Sequence, residues 1–139
     1  MNHQTLGIIK PDAVGKNYTG KIIDRILQSG FQIKAMRLMH LSTRQAKEFY
    51  EVHKEKPFYN DLVQFMTSGP SVALVLQKEN AVSSWRDIMG ATNPEEAEKD
   101  TIRKDFAESI QNNAVHGSDS EENSRKEIAF FFSDNEIPG

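Results

Sequence analysis

Apolar positions along the chain come in short blocks whose spacing alternates between that of strands and that of helices. Residues 5–9 are short and apolar, and Pro11, which cannot donate to a sheet ladder, ends the strand they predict. Ile22, Ile23, Ile26 and Leu27 then recur at helical spacing, with Gly30 where that helix should stop. Residues 31–41 alternate in part, Phe31, Ile33 and Ala35 against Gln32 and Lys34, which predicts a second strand. Ser42 with Gln45 has the form of a capping box opening a helix that buries Ala46, Phe49 and Tyr50. Pro57 suits the first turn of another helix, with Phe58, Leu62, Phe65 and Met66 on one stripe, and Gly69-Pro70 breaks it.

Residues 71–77 are nearly all apolar, the mark of a strand covered on both faces. A short helix over residues 81–89 closes at Gly90. The polar segment 91–100, with Asn93-Pro94 inside it, reads as a long excursion within one domain. A turn of helix is expected over residues 101–106, then a strand ending at His116. A last helix over residues 120–132 turns Ile128, Phe131 and Phe132 inward. The order β-α-β-(helical pair)-β-α-β-α points to an antiparallel sheet with helices on one side, and periodicity by itself supports an α+β sandwich. There is no internal repeat and no low-complexity tail.

Composition narrows the functional classes. The 139 residues suit one compact domain, residues 1–139. Lys and Arg number 17 against 20 Asp and Glu, and the net charge of −3 argues against general affinity for nucleic acid. The absence of cysteine removes disulfides, a thiolate nucleophile and Cys-ligated zinc. The apolar runs at residues 72–76 and 128–132 are far too short to cross a bilayer. Met1-Asn2-His3-Gln4 moves straight into a strand, leaving no room for a signal peptide, so a cytoplasmic protein is expected. His3, His40 and His53 lack metal-ligand spacing and are expected to be structural or surface residues.

The segment Asn113-Ala114-Val115-His116-Gly117-Ser118-Asp119-Ser120 carries the chemistry. Its first half reads as a strand end, Gly117 as a turn that a β-carbon would resist, and the two serines and Asp119 as helix caps. An imidazole at a strand-to-helix turn is open to solvent yet held on both sides, and neutral imidazole is a good nucleophile near pH 7. Lys10 ends the first strand in Ile8-Ile9-Lys10-Pro11-Asp12, Arg86 sits in the helix before Gly90, and Arg103 follows the polar excursion. Taken singly, each reads as a solvated surface charge. Glu127 stands about two helical turns beyond Ser120 on the same side of the last helix, where a carboxylate is ordinarily exposed.

Asn-x-x-His-Gly-Ser-Asp-Ser, with Ile-Lys-Pro-Asp, Met-Gly-Ala-Thr-Asn-Pro and Thr-Ile-Arg in matching order, resembles the motif set of the nucleoside diphosphate kinases from end to end. The resemblance implies a ferredoxin-like antiparallel sheet covered by helices, with an inserted helical pair and a long loop before the last strand. It also implies that His116 takes the γ-phosphate of a nucleoside triphosphate, mainly ATP, on Nδ1. A nucleoside diphosphate then receives that group by a ping-pong route that maintains nucleoside triphosphate pools. Ser118 and Glu127 would orient the imidazole, with Tyr50 nearby. Lys10, Arg86, Thr92 and Arg103 would hold the phosphates, and Asn113 and Lys10 the ribose hydroxyls. Phe58, with Leu62 beside it, would stack on the base, and stacking tolerates any base.

By the same resemblance, Mg²⁺ would come on the nucleotide phosphates without a direct protein ligand. The assembly would be a homo-oligomer, a tetramer or a hexamer, and the short end Ile137-Pro138-Gly139, like that of the short-tailed bacterial members, favours the tetramer. Asp100 departs from the glycine that commonly precedes Thr-Ile-Arg. With Glu95, Glu96 and Glu98 it makes an acidic excursion, expected to be a solvated loop face. Two other classes are weighed. A non-catalytic nucleotide binder is disfavoured by the presence of the whole constellation, and a nucleic-acid binder by the charge and the lack of a basic stripe.

Overall fold

One antiparallel sheet organises the molecule, with β1 (Gln4–Ile9) and β3 (Ser71–Gln77) paired at its centre. Strand β2 (Gln32–Met39) flanks β3, and the three-residue β4 (Val115–Gly117) flanks β1, giving the order β2-β3-β1-β4. The computed structural model describes residues 3–138. Met1, Asn2 and Gly139, which enter the reading of the chain ends, lie outside the described residues. Between the strands run α1 (Pro11–Gly15), α2 (Thr19–Gln28), α3 (Thr43–Phe49), α4 (Tyr59–Met66), α5 (Ala81–Met89), α6 (Ile102–Phe106) and α7 (Glu121–Phe131). Among the described residues no helix is long and apolar enough to cross a membrane.

Helices cover both faces of this sheet, which corrects the expectation of a single covered side. On one face Ile9, Val72, Leu74 and Leu76 pack with Ala13, Ile22, Ile26, Trp85 and Ile102 from α1, α2, α5 and α6. On the other, Leu6, Ile8, Ala73 and Val75 pack with Ala46, Val63, Met66, Ile128 and Phe131 from α3, α4 and α7. The apolar run of β3 already required this, because residues on both sides of its pleat are buried. Helix α1 is an addition to the predicted elements. Its five residues follow directly from Pro11, whose ring is preorganised for a first helical turn.

Strand β2 breaks the parity read from its sequence. Ile33 stands opposite Leu76 and Ala35 opposite Val75, so Lys34 is an extra residue in the ladder. A bulge of one residue sends every following side chain to the opposite face. Ala35 and Met39 therefore join the α3/α4/α7 layer, away from Phe31 and Ile33. Arg37 consequently faces that layer as well, where it donates to the carbonyl of Phe131, pairs with Glu136 and covers the Phe132 ring. Leu27, expected on the buried stripe of α2, is exposed. The capping box of α3 is present in both directions, with Ser42 Oγ accepting from Gln45 N–H and Gln45 accepting from Ser42 N–H.

Candidate active site

Helix α7 brings a carboxylate to the imidazole at the sheet edge. Ser120 caps it by accepting from Asn123 N–H at 3.1 Å, and Glu127 emerges about two turns later. Glu127 Oε1 lies 2.9 Å from His116 Nε2 and accepts from the buried Ser118 hydroxyl at 2.7 Å. A carboxylate only accepts, so a neutral His116 ring carries its proton on Nε2 and presents the Nδ1 lone pair. Phe49 and Tyr50 close over the ring nearly edge-on, with centroids 5.5 and 6.3 Å from it. The Tyr50 hydroxyl is buried with no hydrogen-bond partner among the described residues. Burial, reinforced by the nearby Glu127 charge, holds its phenol well above the usual range.

Gly117 serves this site differently from its sequence reading. Its φ is not in the left-handed region; the residues there include Ala114, with φ of 71°. What Gly117 provides is closeness. A β-carbon there would stand 2.6 Å from Trp85 Cδ1 and 2.7 Å from Met89 Cε, while the Trp85 indole N–H donates to His116 O at 3.1 Å. The sharp turn lies three residues earlier. Val115 N–H closes a γ-turn onto Asn113 O at 2.8 Å around Ala114, the strained member of the γ-turn pair.

Cations line the approach. Lys10, only 7% exposed, donates to Asn113 Oδ1 at 2.8 Å. Burial and then the Arg103 charge lower its ammonium to about 8, against an upward pull from Asp12. Arg103 lies beneath the same segment and donates to the carbonyls of Gly90, Asn113 and Val115. Burial and then Arg86 lower its guanidinium to about 10. Three of the five guanidinium N–H groups are thus engaged in bracing the backbone, and two remain.

Lys10, Phe58, Leu62, Thr92 and Asn113 come together around one cavity of ≈ 520 Å³. Arg86 does not line it. It borders a different cavity with Gly90, Glu96, Glu98 and Thr101, so two glutamates of the acidic excursion stand around the same space as Arg86. Glu95, Glu96, Glu98 and Asp100 are exposed, as a solvated loop face requires. Asp100 has a φ of 68°, which accounts in backbone terms for a glycine at that position, and its carbonyl accepts from Arg25.

With this geometry in view, the comparisons are unambiguous. The family model for nucleoside diphosphate kinase matches residues 3–137. The chain belongs to the nucleoside diphosphate kinase family. A nucleoside diphosphate kinase of a Nitratiruptor species is 63% identical over 96% of this chain and 98% of its own length. One from Helicobacter pylori is 56% identical over 99% of this chain and 100% of its own. Among solved structures, the enzyme of Aquifex aeolicus superposes with a TM-score of 0.95 at 48% identity, covering 98% of this chain and 99% of that one. A halophilic nucleoside diphosphate kinase from Halobacterium salinarum, in complex with CDP, gives a TM-score of 0.94 at 35% identity, with 100% and 93% coverage. The ferredoxin-like fold is therefore that of the family, and the chain is an enzyme of the phosphotransferase class.

Several residues around the candidate site escaped the sequence reading. Ile110, Asp61 and Gln111 also line the Phe58 cavity. Ile110 had a signal, since it is a lone large apolar residue in a polar loop, and it is 59% exposed. Trp85 and Asp12 had none beyond their neighbours in sequence, because each reaches the site through tertiary contacts.

Proposed function

We propose that the enzyme works by a ping-pong route through His116. In the first half-reaction the Nδ1 lone pair attacks the γ-phosphorus of a nucleoside triphosphate, mainly ATP. The Nδ1–P bond forms, the bond from phosphorus to the β,γ-bridging oxygen breaks, and the diphosphate leaves with the electron pair. In the second, a terminal oxygen of another nucleoside diphosphate attacks phosphorus and the P–N bond breaks, returning the free imidazole. The observation that carries this reading is the Glu127 contact to Nε2, which leaves Nδ1 as the nucleophilic nitrogen.

Lys10, Arg86, Thr92 and Arg103 hold the phosphates through charge-assisted bonds. Asn113 and Lys10 take the ribose hydroxyls, and Phe58 with Leu62 stacks on the base. Ser118 and Glu127 orient the ring, and Tyr50 shields it from water. The cavity presents Lys10, Thr92, Asn113 and a lone carboxylate, Asp61, a donor set that suits phosphates already carrying their Mg²⁺. Magnesium is accordingly part of the substrate, neutralising charge on the phosphate oxygens. The unit of function is one domain, residues 1–139, assembled as a tetramer in the cytoplasm and keeping nucleoside triphosphate pools in balance.

Incubation with γ-labelled ATP should give acid-labile label on the protein, and a chase with unlabelled GDP or CDP should remove it as labelled triphosphate at comparable rates. His116→Ala should take no label while retaining nucleotide affinity. Label retained in that variant would sink the assignment, and rates for GDP and CDP differing by many orders of magnitude would sink the stacking account.

A further inference from the structure

Ala114 occupies a conformation that an L-residue adopts only under constraint, two residues before the imidazole. Both of its peptide groups are taken by one short segment across the site. Lys10 N–H donates to Ala114 O at 2.8 Å, and Ala114 N–H donates to Asp12 Oδ2 at 3.1 Å. The first contact continues the β1–β4 ladder and needs no side chain. The second is supplied by Asp12 alone. Ala114 is fully buried, and among the described residues its N–H has no acceptor other than Asp12 Oδ2. An unmade bond there would favour relaxation of φ away from the positive region. Such a relaxation moves the peptides on either side, and these carry Asn113 toward Lys10 and His116 toward Glu127.

We propose that Asp12 is a positioning residue for phosphoryl transfer: by accepting from Ala114 N–H it locks the strained turn that sets the place of the His116 ring. The inference rests on the reading of His116 as nucleophile. The carboxyl itself is pushed up by burial and held back by Ala114 N–H and by Lys10, consistent with a group kept for a local contact. Asp12 touches no reacting atom. It acts through the backbone, and a shift of the imidazole by about 1 Å can cost on the order of a hundredfold in rate.

The test is the single-turnover rate constant for acid-labile labelling by γ-labelled ATP at saturating nucleotide, measured beside the thermal midpoint. Asp12→Ala should slow labelling about tenfold or more. Asp12→Asn, whose amide oxygen can accept the same bond, should be at least about threefold faster than Asp12→Ala. Adding Ala114→Gly to Asp12→Ala should also recover about threefold or more, because glycine occupies positive φ without the steric cost. Should Asp12→Ala not fold, Asp12→Asn and the double variant still carry the test and should fold and become labelled. Wild-type labelling by Asp12→Ala, an Asp12→Asn as slow as Asp12→Ala, or no recovery in the double variant overturns the role of Asp12 alone. A wild-type protein that takes no acid-labile label overturns the His116 reading and this inference with it.

Discussion

At Lys10 the demands of binding and of folding oppose each other. Its ammonium is lowered to about 8, chiefly by burial, whereas the role proposed for it at the phosphates requires the charged form. In the free enzyme, kcat/KM should therefore fall as pH rises through about 8, and Lys10→Arg should carry that limb upward because guanidinium keeps its proton. Stability runs the other way. The folded value lies below the unfolded 10.5, so the charged lysine opposes folding fully below about 8, and the cost fades between about 8 and 10.5. It is roughly a few kcal/mol. Urea unfolding without nucleotide should show wild type gaining on Lys10→Met between pH 7.5 and 9.5. A constant difference between the two proteins across that interval would contradict the burial of a charged Lys10.

Among the elements, β4 and α5 meet with no room to spare. Gly117 lets Trp85 approach the strand, and Ala there would press its β-carbon into the indole and the Met89 methyl. Overpacking of this kind costs about 1–3 kcal/mol. Gly117→Ala should lower the unfolding free energy by that amount, read as a lower urea midpoint, and also slow transfer, since the same strand carries His116. An unchanged midpoint would remove the close-packing account. The elements themselves were largely legible. Apolar spacing, the Ser42–Gln45 box and the Gly90 stop outlined α2, α3, α5 and β3 because those signals act within one or two turns. The Lys34 bulge was not legible. Nothing in Phe31 to Ala35 marks which residue lacks a partner, since that depends on the register of β3.

For the whole molecule, β2 and β4 are the edge strands of the sheet, and β2 carries exposed apolar side chains. Strand β2 pairs on one side only, and Met36 and Leu38 are 56% and 68% exposed. An apolar edge of this sort is a liability in a lone chain and a natural surface for association. Light scattering should report a fourfold multiple of the chain mass, and Leu38→Lys should lower it. A wild-type mass equal to one chain, or a Leu38→Lys variant that keeps the full assembly, would discard this edge as the seam. The site depends on the same global arrangement. Lys10, Arg103, Asn113 and His116 come from three separate stretches of chain, brought together because β4 lies beside β1 and α6 folds under both.

Residue order alone established the α+β class, most element positions, the nucleophilic candidate and, through its motifs, the family. Each is written in local periodicity or in residue types whose chemistry travels with them. Packing settled the rest: helices on both sheet faces, the flipped parity of β2, Gly117 acting by closeness, and the positive φ at Ala114. It also joined Glu127 to Nε2 and Asp12 to the turn. These depend on partners distant in sequence, and no local pattern encodes which groups the folded chain brings within hydrogen-bond reach.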